Sequence, residues 1–254
     1  MTTNDAFEPD QYRPDQATSF GSVAEVYDRG RPGYPAEAID WLLPEGAQHV
    51  VDLGAGTGKL TRLLLERVDR VTAVEPSEGM RKQLIRAVPT AQILPGSAER
   101  LPLDGESFDA VLAAQAWHWV DPARAVPEVA RVLKPGGTLG LIWNMRDESV
   151  PWIRELSAIM GVESDSYRES ESPRVGPPFG EVERRDFPWS NPVTPDDVVA
   201  MVASRSYVIT LPAADREALY DRVRELLTTH PDLAGRSTID VPYVARGSRA
   251  FLVS

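Results

Sequence analysis

One stretch of this chain restricts its fold more than any other. His49-Val50-Val51-Asp52-Leu53 reads as a short buried strand, and it runs straight into Gly54-Ala55-Gly56-Thr57-Gly58. Leu60, Leu63, Leu64 and Val68 then recur at helical spacing. A buried strand that enters a helix through three alternating glycines is the opening unit of a layered α/β sheet. Glycine lets the backbone turn sharply, take positive φ and approach a ligand closely. The helix start behind it offers N–H groups to polar or anionic parts of that ligand.

The β-α pattern then repeats. Arg70–Glu75 predicts a second strand, and Ser77 is placed to cap a helix carrying Met80 and Leu84. Gln92–Leu94 and Phe108–Ala113 predict the third and fourth strands. A helix with Val126, Val129, Ala130 and Leu133 follows, with Pro127 placed in its first turn. Lys134-Pro135-Gly136-Gly137 predicts a turn into a fifth strand, Thr138–Trp143. Such alternation implies right-handed crossovers and a mostly parallel sheet. Ahead of it, Phe20–Tyr27 is a short helical stripe, broken by Arg31-Pro32-Gly33-Tyr34-Pro35, and a helix from Pro35 carries Ile39, Leu42 and Leu43.

After Asn144 the alternation is lost. Residues 173–195 hold six prolines around a candidate strand, Val182–Phe187. Thr194-Pro195-Asp196-Asp197 is a helix start, with Thr as N-cap, Pro at the first position and acids in the first turn. Leu219, Val223, Leu226 and Leu227 mark an amphipathic helix, and Ile239–Val253 closes the chain with strand character. Residues 1–18 read as a loose tail and 19–254 as one domain, with a core at 48–143 and a cap at 145–235 inserted around the last strands.

Composition excludes several chemistries. The 254 residues contain no cysteine, so disulfides, thiolate nucleophiles and Cys-ligated metals are ruled out. His49, His118 and His230 are the only histidines, and no two have metal-ligand spacing, so no metal is expected. The formal net charge of −11 argues against a nucleic-acid or membrane-surface binder, though it leaves room for a local arginine cluster around a small anion. No apolar run approaches membrane-spanning length and the first residues are polar and acidic. A soluble cytoplasmic protein, monomer or homodimer, is the expectation.

Three ligand loops compete for Asp52–Gly58. A nucleotide P-loop fails on spacing, because three residues separate Gly54 from Gly58 and Leu60 stands where a magnesium-binding hydroxyl belongs. A dinucleotide fingerprint, G-x-G-x-x-G, fails because position 59 is lysine. A D-x-G-x-G-x-G loop matches at Asp52, Gly54, Gly56 and Gly58. A bare turn would not need three glycines. Glu75 closes the second strand 17 residues after Gly58, where an acid in a doubly wound sheet accepts ribose hydroxyls.

With these residues in place, the chain resembles the class I S-adenosylmethionine-dependent methyltransferases of the type-11 group, which includes the ubiquinone-biosynthesis C-methyltransferases. The resemblance covers 48–143: Asp52–Gly58, Val74-Glu75-Pro76, Gly96–Leu103, Ser107–Val111 and Leu133–Gly137. Tyr27, Arg31–Pro35 and Ser204–Tyr207 are similar to a subgroup like trans-aconitate methyltransferase. The resemblance implies a Rossmann-like fold, with a seven-stranded sheet, helices on both faces and an N-terminal helical lid. It implies S-adenosylmethionine as methyl donor, S-adenosylhomocysteine as product and a small-molecule acceptor.

By the same resemblance, Gly54, Ala55 and Gly56 lie against the methionine part of the donor, and Thr57 and Gly58 complete that loop. Asp52 orients the loop and its waters. Glu75 holds the ribose, Pro76 and Met80 flank the adenine, and Ser97 and Ala98 meet its edge. Many relatives carry Asp where Ser97 stands, and a hydroxyl accepts from the adenine amine more weakly. Gln115 follows the fourth strand, where relatives bind the methionine amine through a backbone carbonyl.

The acceptor side is read from the same sheet edge. Gln115-Ala116-Trp117-His118-Trp119 follows the carboxyl end of the fourth strand, where open α/β sheets bind ligands. Trp117 and Trp119 are candidates for excluding water and favouring the sulfonium, with core packing as the alternative. His118 is the candidate base, the alternative being a structural hydrogen bond. Trp143 and Asn144 are candidate pocket residues. Tyr27, Tyr34 and Arg31 are expected over the cleft, Arg31 facing the methionine carboxylate or an anionic acceptor. Arg205 and Tyr207 are read as structural, with the pocket as the other option. The remaining alternatives are an RNA or protein methyltransferase and a non-catalytic cofactor-binding regulator.

Overall fold

The strands β1 (His49–Leu53), β2 (Arg70–Val74), β3 (Gln92–Leu94), β4 (Phe108–Ala114), β5 (Leu133–Arg146), β6 (Glu183–Val193) and β7 (Ile239–Phe251) form one sheet. Their order is β3-β2-β1-β4-β5-β7-β6. The structure is a computed structural model describing residues 31–161 and 170–253. The tail expected over 1–18, the helix expected over Phe20–Tyr27 and Tyr27 itself fall outside those residues.

β1 to β5 pair in parallel, and β7 runs antiparallel to both β5 and β6. The sheet is therefore mostly parallel, as the alternation implies. Its apolar residues divide by parity. Val50, Val71, Ala110 and Leu112 pack with Ile39 and Leu42 of α1 (Ala36–Leu42) and Leu60 and Leu64 of α2 (Lys59–Leu65). Val51, Leu53, Val111 and Leu139 pack on the opposite face with Val126 and Val129 of α4 (Pro122–Val132). Between them in the chain, α3 (Glu78–Ala87) packs Leu84 against Ala73. Strands buried on both faces explain the near-continuous apolar runs in β1 and β4.

A second core lies beyond the strand ends. It unites α5 (Pro151–Met160), α6 (Pro195–Ala203), the short α7 (Ser206–Ile209) and α8 (Ala213–Thr229) with Ile239, Val241 and Tyr243 at the start of β7. Thr194 caps α6 as its sequence predicts, accepting from Asp197 N while Asp197 accepts from the Thr194 backbone.

Three local expectations need correction. Pro127 lies inside α4, because Asp121 caps the helix and Pro122 opens it five residues earlier. Pro127 is exposed, so the carbonyl it leaves without an N–H partner faces water. β5 begins at Leu133, so Lys134–Gly137 is an irregular start of the strand, where the β4 pairing shifts register. β5 also passes Trp143 to Arg146, and β6 passes Phe187 to Val193, because the antiparallel β7 pairs with β5 from Tyr243 to Phe251 and with β6 from Ile239 to Arg249. Pro188 and Pro192 are tolerated there because β6 is an edge strand.

At the amino-terminal ends of the central strands, Asp109 accepts from Gln48 N, His49 N and Lys134 Nζ at 2.9, 2.8 and 2.6 Å. His49 and Lys134 are thereby used in joining β1, β4 and β5. Among the described residues no helix is long and apolar enough to cross a membrane.

Candidate active site

The glycine loop is shaped by its neighbours. Gly54 N and Ala55 N both donate to Val74 O, at 2.8 and 3.2 Å, which fixes the loop to the end of β2. Gly58 starts α2 at φ 93°, and a Cβ there would meet Leu84 Cδ1 at 2.6 Å and Val88 Cγ2 at 2.9 Å. This glycine serves packing: it lets α3 close on the start of α2. Gly56 differs. Its φ is 57°, yet a Cβ there would meet nothing within 4 Å. Gly56 borders open space and lines a cleft together with Gly54, Ala55 and Thr57.

Two buried acids lie beneath this loop. Glu75 directly follows β2, and its oxygens accept from Gly56 N at 2.9 Å and Ser77 N at 2.8 Å. It is buried, and burial pushes its carboxyl up from the ordinary value despite the two N–H donors. Each oxygen keeps lone-pair capacity for a further donor. Asp52 sits two residues past Val50 and therefore points to the α2 face, where Thr61 Oγ1 donates to its Oδ2 at 2.5 Å. Its exposure is 0%. Its Oδ1 has no hydrogen-bond partner among the described residues. Burial raises its pKa to about 7, and the negative Glu75 nearby adds to the rise.

Beyond the end of β2, Pro76 is exposed and Met80 is buried, and beyond β3 Ser97 is half-buried. Ala98 is buried in the core face that includes Val74. Glu75 N donates to Leu94 O at 3.1 Å, so the ends of β2 and β3 stay together beneath this side.

A cleft opens over the carboxyl ends of β1, β4 and β5. The loop supplies Gly54, Ala55, Gly56 and Thr57, with Asp52 beneath. Gln115 and Asn144 come from the ends of β4 and β5, and Arg31, Pro32 and Tyr34 from the segment before α1. Gln115 has φ 55°, unusual for a non-glycine residue. Its N donates to Ile142 O at 2.9 Å and its Nε2 to Asn144 O at 3.3 Å. Arg31 donates from Nη2 to Ser204 O at 3.3 Å.

Arg205, Tyr243, Lys59 and Leu60 also line the cleft. Sequence reading passed over Tyr243 and gave Arg205 a structural role. Tyr243 pairs with Arg146 in the antiparallel ladder, which carries it to the ligand edge. The alternation Ile239, Val241, Tyr243, Ala245 was the available signal, but the direction of β7 was not.

The aromatic turn after β4 stands apart from that cleft. Trp117–Trp119 form a single 3-10 turn. Trp117 is 0% exposed, packs in the α4-side core and donates from Nε1 to Arg174 O at 3.3 Å. Trp143 is fully buried in the same core. Trp119 is half-buried, its ring 4.6 Å from His118. Trp143 Nε1 donates to His118 Nδ1 at 3.5 Å. An indole N–H can only donate, so Nδ1 is the acceptor and the neutral ring carries its proton on Nε2.

Among the described residues no group of three or more His, Asp or Glu is placed to hold a metal ion. The site does fit a polar nucleoside-type donor: a buried acid below the loop with an oxygen unengaged among the described residues, a second acid at the end of β2, and open space beside Gly56.

Comparison with known proteins gives the family and the fold. A methyltransferase-domain profile matches residues 51–141. An uncharacterized methyltransferase of Mycobacterium tuberculosis is 54% identical over 240 residues, covering 94% of this chain and 98% of that protein. An uncharacterized methyltransferase-like protein of Schizosaccharomyces pombe is 34% identical over 239 residues, covering 89% and 92%. A structure from Anaeromyxobacter dehalogenans, assigned to the type II methyltransferases, superposes with a TM-score of 0.68 at 24% identity, covering 87% of this chain and 97% of that one. Haemonchus contortus phosphoethanolamine N-methyltransferase 2, solved with phosphomonomethylethanolamine and S-adenosylhomocysteine, has a TM-score of 0.54 at 15% identity, covering 96% and 61%.

Proposed function

The chain belongs to the type-11 class I S-adenosylmethionine-dependent methyltransferases, and from that premise we propose that its methyl acceptor is a small molecule bound in the cleft above Gly54–Thr57. One observation carries this reading. The cleft is bounded by Arg31, Pro32 and Tyr34 from the segment before the sheet and by Arg205 and Tyr243 from the cap side. Enclosure from two sides supports a small acceptor. A net charge of −11 further disfavours an RNA acceptor.

S-adenosylmethionine supplies, when bound, a methyl group activated by sulfonium sulfur. The residues that would hold it are those of the loop and the two acids. Glu75 would accept from the ribose hydroxyls with the lone pairs left beside Gly56 N and Ser77 N. Pro76, Met80, Ser97 and Ala98 would border the adenine. Asp52 would take a donor at Oδ1, and Gln115 and Arg31 would meet the amine and carboxylate of the methionine part. Alignment and exclusion of water carry such a transfer, so no fixed catalytic group is required.

The contact between Trp143 and His118 favours a second, narrower reading. A base needs an available lone pair, and in this ring the Nδ1 lone pair accepts from Trp143. We read His118 as a structural partner of Trp143 and the acceptor atom as one already ionised, such as a carboxylate oxygen near Arg31 and Arg205.

The test is transfer of labelled methyl from S-adenosylmethionine into small-molecule, RNA and protein fractions offered together. Label in the small-molecule fraction is expected. Label confined to RNA or protein would overturn the reading, and binding without transfer would make the protein a regulator. On a responsive acceptor, His118→Ala should keep turnover within a few-fold. A loss of roughly 100-fold, with the acidic limb of the rate profile, would restore His118 as the base.

A further inference from the structure

Asn144 is joined to three separate parts of the protein. Its Nδ2 donates to Gly33 O at 2.7 Å. Its Oδ1 accepts from Trp189 Nε1 at 3.1 Å. Its main-chain O accepts from Gln115 Nε2 at 3.3 Å. The side-chain orientation is fixed by chemistry, because an indole N–H only donates and a carbonyl only accepts. A primary amide is the short side chain that satisfies both. Asp would set a second acceptor against Gly33 O, and Leu would satisfy neither partner.

Each partner bears on the cleft. Gly33 lies in the strap Arg31–Tyr34, three of whose residues line it. The strap is tied to the cap by Arg31 Nη2 to Ser204 O and to the sheet by Asn144. Trp189 sits on β6 and stacks on the cleft residue Tyr243, ring centroids 5.6 Å apart at 27°. Gln115 holds a left-handed φ of 55°, a strained conformation that persists only where its surroundings fix it. Its amide contact to Asn144 O is one of those restraints.

We propose that Asn144 is a positioning residue that fastens the strap Arg31–Tyr34 across the cleft and sets Gln115 at the end of β4, so that strap opening controls exchange of cofactor product and acceptor. The proposal rests on the cleft being the site of methyl transfer. Asn144 itself transfers nothing. It lies in β5, paired with Ala245, and is held there by the sheet whether the strap is open or closed.

The test uses the whole chain and S-adenosylhomocysteine as probe. Asn144→Asp keeps the acceptor for Trp189 and removes the donor to Gly33. Loss of one hydrogen bond of this kind is expected to speed dissociation of S-adenosylhomocysteine about tenfold. Hydrogen exchange over residues 31–35 should rise while that of β1 and β4 stays the same, and the acceptor KM should rise more than kcat falls. A purely structural residue would instead raise exchange throughout the sheet. Trp189→Phe, which leaves Asn144 but removes one of its anchors, should give the same pattern more weakly, and it serves if Asn144→Asp does not fold. Unchanged dissociation and strap exchange in the folded variant would overturn the role of Asn144. Failure of the wild-type protein to bind S-adenosylhomocysteine would instead overturn the reading of the cleft.

Discussion

Asp52 is where burial and charge oppose each other most strongly. Its folded pKa of about 7 stands against an ordinary 3.8. Below about pH 4 the group is protonated in folded and unfolded chains alike and contributes nothing. As pH rises toward 7 the unfolded chain ionises and the folded one does not, so stability falls. Above 7 the penalty is complete, on the order of 4 kcal/mol from the two pKa values. Between pH 5 and 8 the ligand-free melting temperature should therefore drop more for wild type than for Asp52→Asn, as scanning calorimetry would show. Parallel curves would mean that the carboxyl is ionised at no such cost. Glu75 offers a companion measurement. Glu75→Ala removes the proposed acceptor for the ribose together with the anchors of Gly56 N and Ser77 N, and should weaken S-adenosylhomocysteine binding about 100-fold or more by titration calorimetry. An unchanged dissociation constant would remove Glu75 from the site.

The elements show what a sequence can and cannot reveal. β1 and α2 were legible because apolar period and glycine punctuation agree there. Thr194 was legible as a cap because capping is local chemistry. The start of α4 was not, since the apolar stripe begins only at Val126, a full turn after the cap Asp121-Pro122. The ends of β5 and β6 were hidden for a different reason: a partner some hundred residues away along β5 sets their length. The same holds at the site. Asp52, Gly54, Gly56 and Gln115 follow from the strand-loop pattern, whereas Tyr243 reaches the cleft through an antiparallel register that no local signal encodes. Pro127 yields a direct test at this scale. Pro127→Ala restores an N–H within α4 at an exposed position and should stabilise the protein by about 1–3 kcal/mol. A lowered melting temperature would show that the ring contributes more than the missing bond costs.

At the scale of the whole molecule, the cleft gathers groups from the strap, the sheet, the cap and the last strand, so occupying it should stabilise all of them together. A ligand that binds only the folded chain at 100 times its dissociation constant adds about 2.7 kcal/mol, or roughly 5–10 °C for a protein of this size. Thermal scans with S-adenosylhomocysteine should show that rise as one transition. A shift in only part of a split transition would mean that sheet and cap respond separately. The strand order carries a consequence for biosynthesis. β6 leaves the ribosome before β7, yet among the described residues β7 is its only neighbour in the sheet. Until residues 239–251 emerge, the outer edge of β5 is bare and β6 has no place to dock. A nascent chain that already carries its complete glycine loop therefore still exposes an open strand edge, the feature that recruits chaperones and seeds aggregation. Tyr243 arrives on the same strand that covers this edge, so the ligand cleft is completed only as the hazard is removed.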